Sequence, residues 1–125
     1  MDTIVSFKLA KLLKEERFNE PIKQRYFIAE NIDSDRFPFL QKECALYNWN
    51  NYDDFSTSYY SAPTIAEVVM WLYEKHGIWI EVSREYANGK YIYQYFVDKN
   101  NQEFGFNSPT EAYEAAIEYT LKNLI

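Results

Sequence analysis

Three glycines, one cysteine and one histidine leave little room for several kinds of chemistry in this chain. A phosphate-binding loop needs closely spaced glycines, because backbone N–H groups must approach the phosphate. Gly77, Gly89 and Gly105 are far apart, and each is accounted for by a turn or a strand. No Gly-x-Ser-x-Gly nucleophile elbow is present. Cys44 has no second cysteine for an internal disulfide, and with His76 as the single imidazole it cannot build a zinc site. It reads as a buried, inert thiol in a reducing compartment. No apolar run approaches the roughly 20 residues that span a bilayer, and the stretch Met1 to Lys8 is too polar for a signal peptide. The expectation is a cytoplasmic protein with no membrane partner, no cofactor and no metal.

Positive charge is also scarce. Thirteen Lys and Arg stand against 19 Asp and Glu, a net charge of −6. Double-stranded nucleic-acid binders normally carry a basic face, because phosphate contacts supply much of their affinity. The balance here argues against that role. A local patch would need Lys8, Lys11, Lys14, Lys23 and Arg25 to converge. Aspartates at 33, 35, 53 and 54 form pairs that could bind a divalent cation or do acid–base work, although such pairs more commonly favour turns.

What the chain has in excess is aromatic surface. Twelve Tyr, nine Phe and three Trp make up 19% of it, which suits either a Tyr-rich sheet or an interface.

The first half begins with a helix. Ser6 is a suitable cap, Leu9, Leu12 and Leu13 share a face, and Phe18 is placed to fold back onto Leu13 after an end near Arg17. Pro21 forbids continuation. Tyr26–Ala29 and Phe39–Tyr47 read as strands of a hairpin around a turn at Asn31–Asp35, and 48–61 as a loop.

The second half is patterned more strongly. Pro63, Thr64 and Glu67 open a helix with capping-box spacing. Ile65, Val68, Val69 and Leu72 line its inner stripe, and Met70, Trp71 and Tyr73 widen the apolar surface. Gly77 closes it after His76, where a cation suits a helix C-terminus. Asn88-Gly89 then signals a two-residue hairpin turn. That turn fixes register, setting Tyr86 opposite Tyr91, Arg84 opposite Tyr93, Val82 opposite Tyr95 and Ile80 opposite Val97 on the core face. Trp79, Glu81, Ser83 and Glu85 fall on the other face, opposite Asp98, Phe96, Gln94 and Ile92. A second turn at Lys99–Gln102 brings Phe104 beside Val97 and Phe106 beside Tyr95, both toward the core. Ser108, Pro109 and Glu111 start the last helix. Ala112, Ala115, Ala116 and Tyr119 make its packing strip, Tyr113, Ile117 and Leu121 continue it, and Leu124 and Ile125 are expected to dock.

The fold class is therefore α+β. A three-stranded antiparallel meander over 78–106, with the N-terminal strands as a candidate extension, packs against two or three helices. One domain covers 1–125, with a helix and hairpin in 1–60 and helix–meander–helix in 61–125. This order resembles the double-stranded-RNA-binding fold, but Ser108-Pro109-Thr110-Glu111-Ala112 stands where the basic cluster of that fold begins its last helix, which removes its phosphate contacts.

Several runs carry a second resemblance: Leu9-Ala10-Lys11-Leu12-Leu13-Lys14-Glu15, Phe18-Asn19-Glu20-Pro21, Tyr60-Ser61-Ala62-Pro63-Thr64, Lys75-His76-Gly77-Ile78, and Ser108-Pro109-Thr110-Glu111-Ala112-Tyr113-Glu114-Ala115-Ala116 with Leu121-Lys122-Asn123-Leu124-Ile125. The chain is similar in these to small uncharacterised phage-like proteins encoded in Bacteroides-type genomes and mobile elements. Arg17 stands where that group often has glycine. The resemblance implies a mobile-element origin and no particular reaction. The expected function is non-enzymatic binding through protein–protein contacts, with a homodimer or another protein as partner and Met70, Trp71, Trp79 and Phe96 as the contact surface. The alternatives are a nucleic-acid-binding accessory protein and a metal-dependent hydrolase built on the loop aspartates.

Overall fold

A computed structural model of the chain describes residues 3–29, 38–52, 54, 56–98 and 101–125, residue 101 by its backbone alone. Two compact units emerge: Ile4–Pro63, and Thr64–Ile125 joined by Thr3. Together they hold helices and two three-stranded antiparallel sheets, an α+β fold. The N-terminal strands do not extend the meander; they form a sheet of their own.

In the unit Ile4–Pro63, helix α1 (Phe7–Glu15) starts where Ser6 Oγ accepts from Leu9 N at 3.3 Å. It stops because Arg17 takes a left-handed conformation, φ 62°. Phe18 N then donates to Leu13 O at 2.9 Å, and Arg17 N to Lys14 O at 3.2 Å, the paired bonds that satisfy the last carbonyls of a helix. Leu13 and Phe18 are both buried, as the sequence suggested. The sheet places β1 (Arg25–Ala29) between β2 (Phe39–Gln41) and β3 (Thr57–Ser61). The β1–β2 hairpin was expected, but β2 is shorter than Phe39–Tyr47. Glu43 at φ 59° breaks the strand, and Tyr47 instead bridges Ile22. The expected turn at Asn31–Asp35 lies outside the described residues.

The larger departure is β3, in a segment expected to be loop. Its partner is distant in sequence, so no local turn announces it. Asn50, in a 3-10 turn at Trp49–Asn51, fixes the end of the strand. Its Oδ1 accepts from Ser61 N at 2.8 Å, its N donates to Ser61 Oγ at 3.2 Å, and its Nδ2 donates to Phe18 O at 2.7 Å. Cys44 is half-buried rather than buried, and its thiol donates to Gln41 O at 3.5 Å.

In the other unit, helix α2 (Ile65–His76) opens with both halves of the capping box. Thr64 Oγ1 accepts from Glu67 N at 3.2 Å, and Glu67 Oε1 accepts from Thr64 N at 2.8 Å. Gly77, at φ 66°, ends it. Strands β4 (Ile80–Ala87) and β5 (Lys90–Val97) pair in the register that Asn88-Gly89 dictates, Ile80 with Val97 through Tyr86 with Tyr91. Helix α3 (Pro109–Asn123) lies across this sheet and also touches α2. Ser108 Oγ caps it, accepting from Glu111 N at 3.1 Å.

Two expectations about the sheet's core face need correction. Only the end nearest α2 is buried: Ile80, Tyr95 and Val97 are in the core, while Tyr86 and Tyr91 at the turn end are exposed and pack edge-on against each other. Strand β6 (Asn101–Phe106) is also shifted. Asn101 pairs with Val97, and Phe104 pairs with Gln94, which turns Phe104 to the outer face, 71% exposed. The reversal begins early because Asp98 adopts φ 52°, a conformation Asp tolerates better than most residues. Gly105, at φ 101°, then inserts one extra residue, and Phe106 returns to the core face opposite Tyr93 with its ring 5.8 Å from that of Tyr95.

On α3 the buried strip is Ala112, Ala116, Ile117, Thr120 and Leu121, rotated away from Ala115 and Tyr119. Thr120 is tolerated there because its hydroxyl donates to Ala116 O at 2.8 Å. Leu124 is exposed rather than docked.

Candidate interaction surface

Strand alternation gives the N-terminal sheet two unlike faces. Tyr26 and Tyr60, on one side, receive the Phe7 ring edge-on at 5.4 and 5.1 Å. Lys14 Nζ lies 4.7 Å over the Tyr60 ring and donates to Tyr59 O at 2.7 Å. Helix α1 thus covers that face. On the other, register sets Gln41 and Ser61 beside Arg25, and Phe39 and Tyr59 beside Phe27.

This second face is a continuous sheet of rings. Phe27 stacks on Phe39 at 5.5 Å and meets Tyr59 at 6.2 Å. Tyr52 meets Tyr59 edge-on at 4.9 Å and Trp49 at 5.4 Å, and Tyr47 lies 5.1 Å from Trp49. Trp49 is the buried base, its Nε1 donating to Ile22 O at 2.8 Å. Phe39 (55%), Tyr47 (45%) and Tyr52 (39%) remain exposed around it. Arg25 sits among them, its guanidinium carbon 4.2 Å from the Trp49 ring centroid and 4.4 Å from that of Tyr59. Burial raises the Tyr59 phenol above its usual pKa; Arg25 opposes this, and Asp54, which accepts the phenol's hydrogen bond at 3.3 Å, reinforces it.

The surface expected from the sequence lies in the other unit. Met70 and Trp79 are exposed, and Tyr73 joins them, its ring 5.3 Å from Trp79. Trp79 Nε1 donates to Glu81 Oε1 at 3.3 Å, and Glu81 faces the half-buried Phe96 on the outer side of the meander. That outer side also carries Ile92 and the exposed Phe104 beside a polar network: Gln94 Nε2 donates to Ser83 Oγ at 3.0 Å and to Glu85 Oε1 at 3.1 Å, and Gln102 Nε2 to Gln94 Oε1 at 2.8 Å. Trp71 does not belong to this surface. It is 6% exposed, because the helical period turns it inward with Val68 and Leu72. His76 is exposed, its ring 4.9 Å from that of Trp71.

Among the described residues the five basic candidates do not share one face: Lys11 and Lys14 lie over the adjoining Phe7 and Tyr60 rings, away from Arg25. Lys14 and Arg25 serve opposite faces of the same sheet. Asp33, Asp35 and Asp53 lie outside the described residues, and Asp54 is engaged by Tyr59. Among the described residues no three His, Cys, Asp or Glu side chains cluster in a way that could hold a metal ion, and no helix is long and apolar enough to cross a membrane.

Sequence reasoning missed the Arg25 face. The signals were an arginine alternating with Phe27 in a short strand, and Trp49 three residues before Tyr52. Neither identifies its partner without the fold. Compared with protein-family models, curated proteins and solved structures, the chain shows no significant match to any of them.

Proposed function

We propose that this chain is a non-enzymatic binding protein that works through protein–protein contacts, with a second copy or another protein as partner. The observation that carries the reading is the uncovered aromatic face around Arg25, where Phe39, Tyr47 and Tyr52 stay exposed above a buried tryptophan. Tyrosine, tryptophan and arginine are the residues that dominate binding energy at interfaces, and they do so over well-packed, rigid bases. Met70, Tyr73, Trp79 and Phe96 supply a second aromatic-rich surface of the same kind. The single thiol and the resemblance to phage-like proteins support a cytoplasmic accessory role of mobile-element origin. A nucleic-acid role draws no support from Lys14 and Arg25, which lie over opposite faces of one sheet in an acidic chain.

The test compares the full chain with a variant carrying Phe39→Ser, Tyr47→Ser and Tyr52→Ser. Sedimentation velocity from micromolar to millimolar concentration reads self-association, and affinity capture from a host lysate reads other partners. Association or a captured protein that the folded triple variant loses is the expected result. A monomer at every concentration, together with identical captured sets for both baits, overturns the reading.

A further inference from the structure

Arg25 is the unexpected member of the aromatic face. The chain has six more acidic than basic side chains, yet none of the described carboxylates pairs with this guanidinium; its partners are two rings and an amide. Nε donates to Gln41 Oε1 at 2.8 Å, which fixes the roll of the group. The Trp49 and Tyr59 rings lie against it, 4.2 and 4.4 Å from its central carbon. The terminal N–H groups have no acceptor among the described residues.

An oriented guanidinium fork matches a carboxylate in a two-point hydrogen bond. The side chain is already held by Gln41 and two rings before a ligand arrives, so less freedom is lost on binding. We infer that Arg25 is the anion receptor of this face, taking the carboxylate of an acidic side chain on a partner protein while Phe39, Tyr47 and Tyr52 receive that segment's apolar neighbours. The inference rests on the protein-contact reading and names the chemistry of its partner. A single carboxylate is favoured over a polyphosphate chain for a reason of charge. One cation meets one anion here, Lys14 is turned to the other face of the sheet, and a net charge of −6 repels a polyanion.

The test uses the full chain and three small probes in NMR titrations: N-acetylphenylalanine, its neutral amide, and phenyl phosphate. The Nε–H signals of Arg25 and Trp49 report on the site. The acid is expected to shift both signals and to bind about tenfold more tightly than the amide, the difference one charge-assisted pair supplies. Arg25→Lys keeps the charge and loses the fork, so most of that preference should vanish while the spectrum stays folded. Equal binding of acid and amide overturns the receptor role and leaves the protein-contact reading standing, since the triple-serine experiment tests that separately. An acid that shifts neither signal overturns it as well, as does tighter binding of phenyl phosphate, which would assign the site to phosphate.

Discussion

Replacing Gly105 with alanine isolates a backbone effect from any packing effect. The residue has φ 101°, and a Cβ built there meets nothing within 4 Å. No clash arises, so the whole cost lies in forcing an L-residue into a region that glycine occupies freely. Such conformations cost of order 1–3 kcal/mol. Stiffening the unfolded chain returns about 0.4–1 kcal/mol of this. Taking the middle of each range, a net loss of about 1 kcal/mol is expected, read as a lower midpoint with unchanged slope in guanidinium unfolding. A loss smaller than about 0.5 kcal/mol, the range of an ordinary surface change, would refute the strain argument.

Deleting Gly105 gives the complementary result. In the structure Phe104 pairs with Gln94 and Phe106 with Tyr93, so Gly105 is the extra residue of a bulge. Without it the strand alternates regularly, Phe104 stays outward and Phe106 stays opposite Tyr93. Nuclear Overhauser contacts between the rings of Phe106 and Tyr95 should survive the deletion. Their loss, with Phe104 taking that place, would mean the register is not set by the glycine.

Other consequences follow at separate sites. Arg17→Gly should stabilise the chain by about 0.5–1 kcal/mol in denaturant unfolding, because Arg17 holds φ 62° at a helix end that favours glycine; destabilisation would show that the arginine side chain contributes more than its backbone costs. Trp71→Ala should cost about 3–5 kcal/mol as a core truncation, against about 0.5 kcal/mol or less for the exposed Met70→Ser; similar losses at the two positions would contradict the inward orientation of Trp71. The Tyr95 phenol is pushed up to about 12 by burial, with its hydrogen bond to Glu103 adding to the shift, against 10.0 for a free phenol. The folded chain therefore keeps a proton that the unfolded chain has lost, and stability falls as pH rises from 10.0 toward about 12. The stability difference between the wild-type chain and Tyr95→Phe should shrink across that window, and a flat difference would show that Tyr95 titrates normally.

What could be read from the sequence tracks how local the determining interactions are. The β4–β5 register follows from two adjacent residues, Asn88 and Gly89, which take φ 53° and 80°. The caps at Ser6, Thr64 and Ser108 each act within three or four residues. The β5–β6 register failed because its turn opens with aspartate in a glycine-like conformation, where several loop lengths are open to the chain. Strand β3 was missed because its edge is set by Asn50, whose side chain and backbone hold Ser61 and whose amide reaches Phe18, contacts that no periodicity encodes. Trp71 was misplaced for a simpler reason: a helix apolar over most of its surface does not say which side is covered.

The same logic explains why the Arg25 face was invisible in the sequence. Its members come from β1, β2, the 3-10 turn and β3, and only the β1–β2 pairing was announced by a turn signal; nothing local brings Trp49, Tyr52 and Tyr59 against Arg25. Folding alone does not require a guanidinium at position 25. An aliphatic side chain would cover Trp49 and Tyr59 as well, without holding a cation against rings. The cation–π contacts return about 0.5–1 kcal/mol each at exposed sites, enough to hold the group in place but modest beside what apolar burial would give there. Arg25, held by Gln41 and two rings and given no described carboxylate, is therefore the residue on which the proposed partner contact stands or falls.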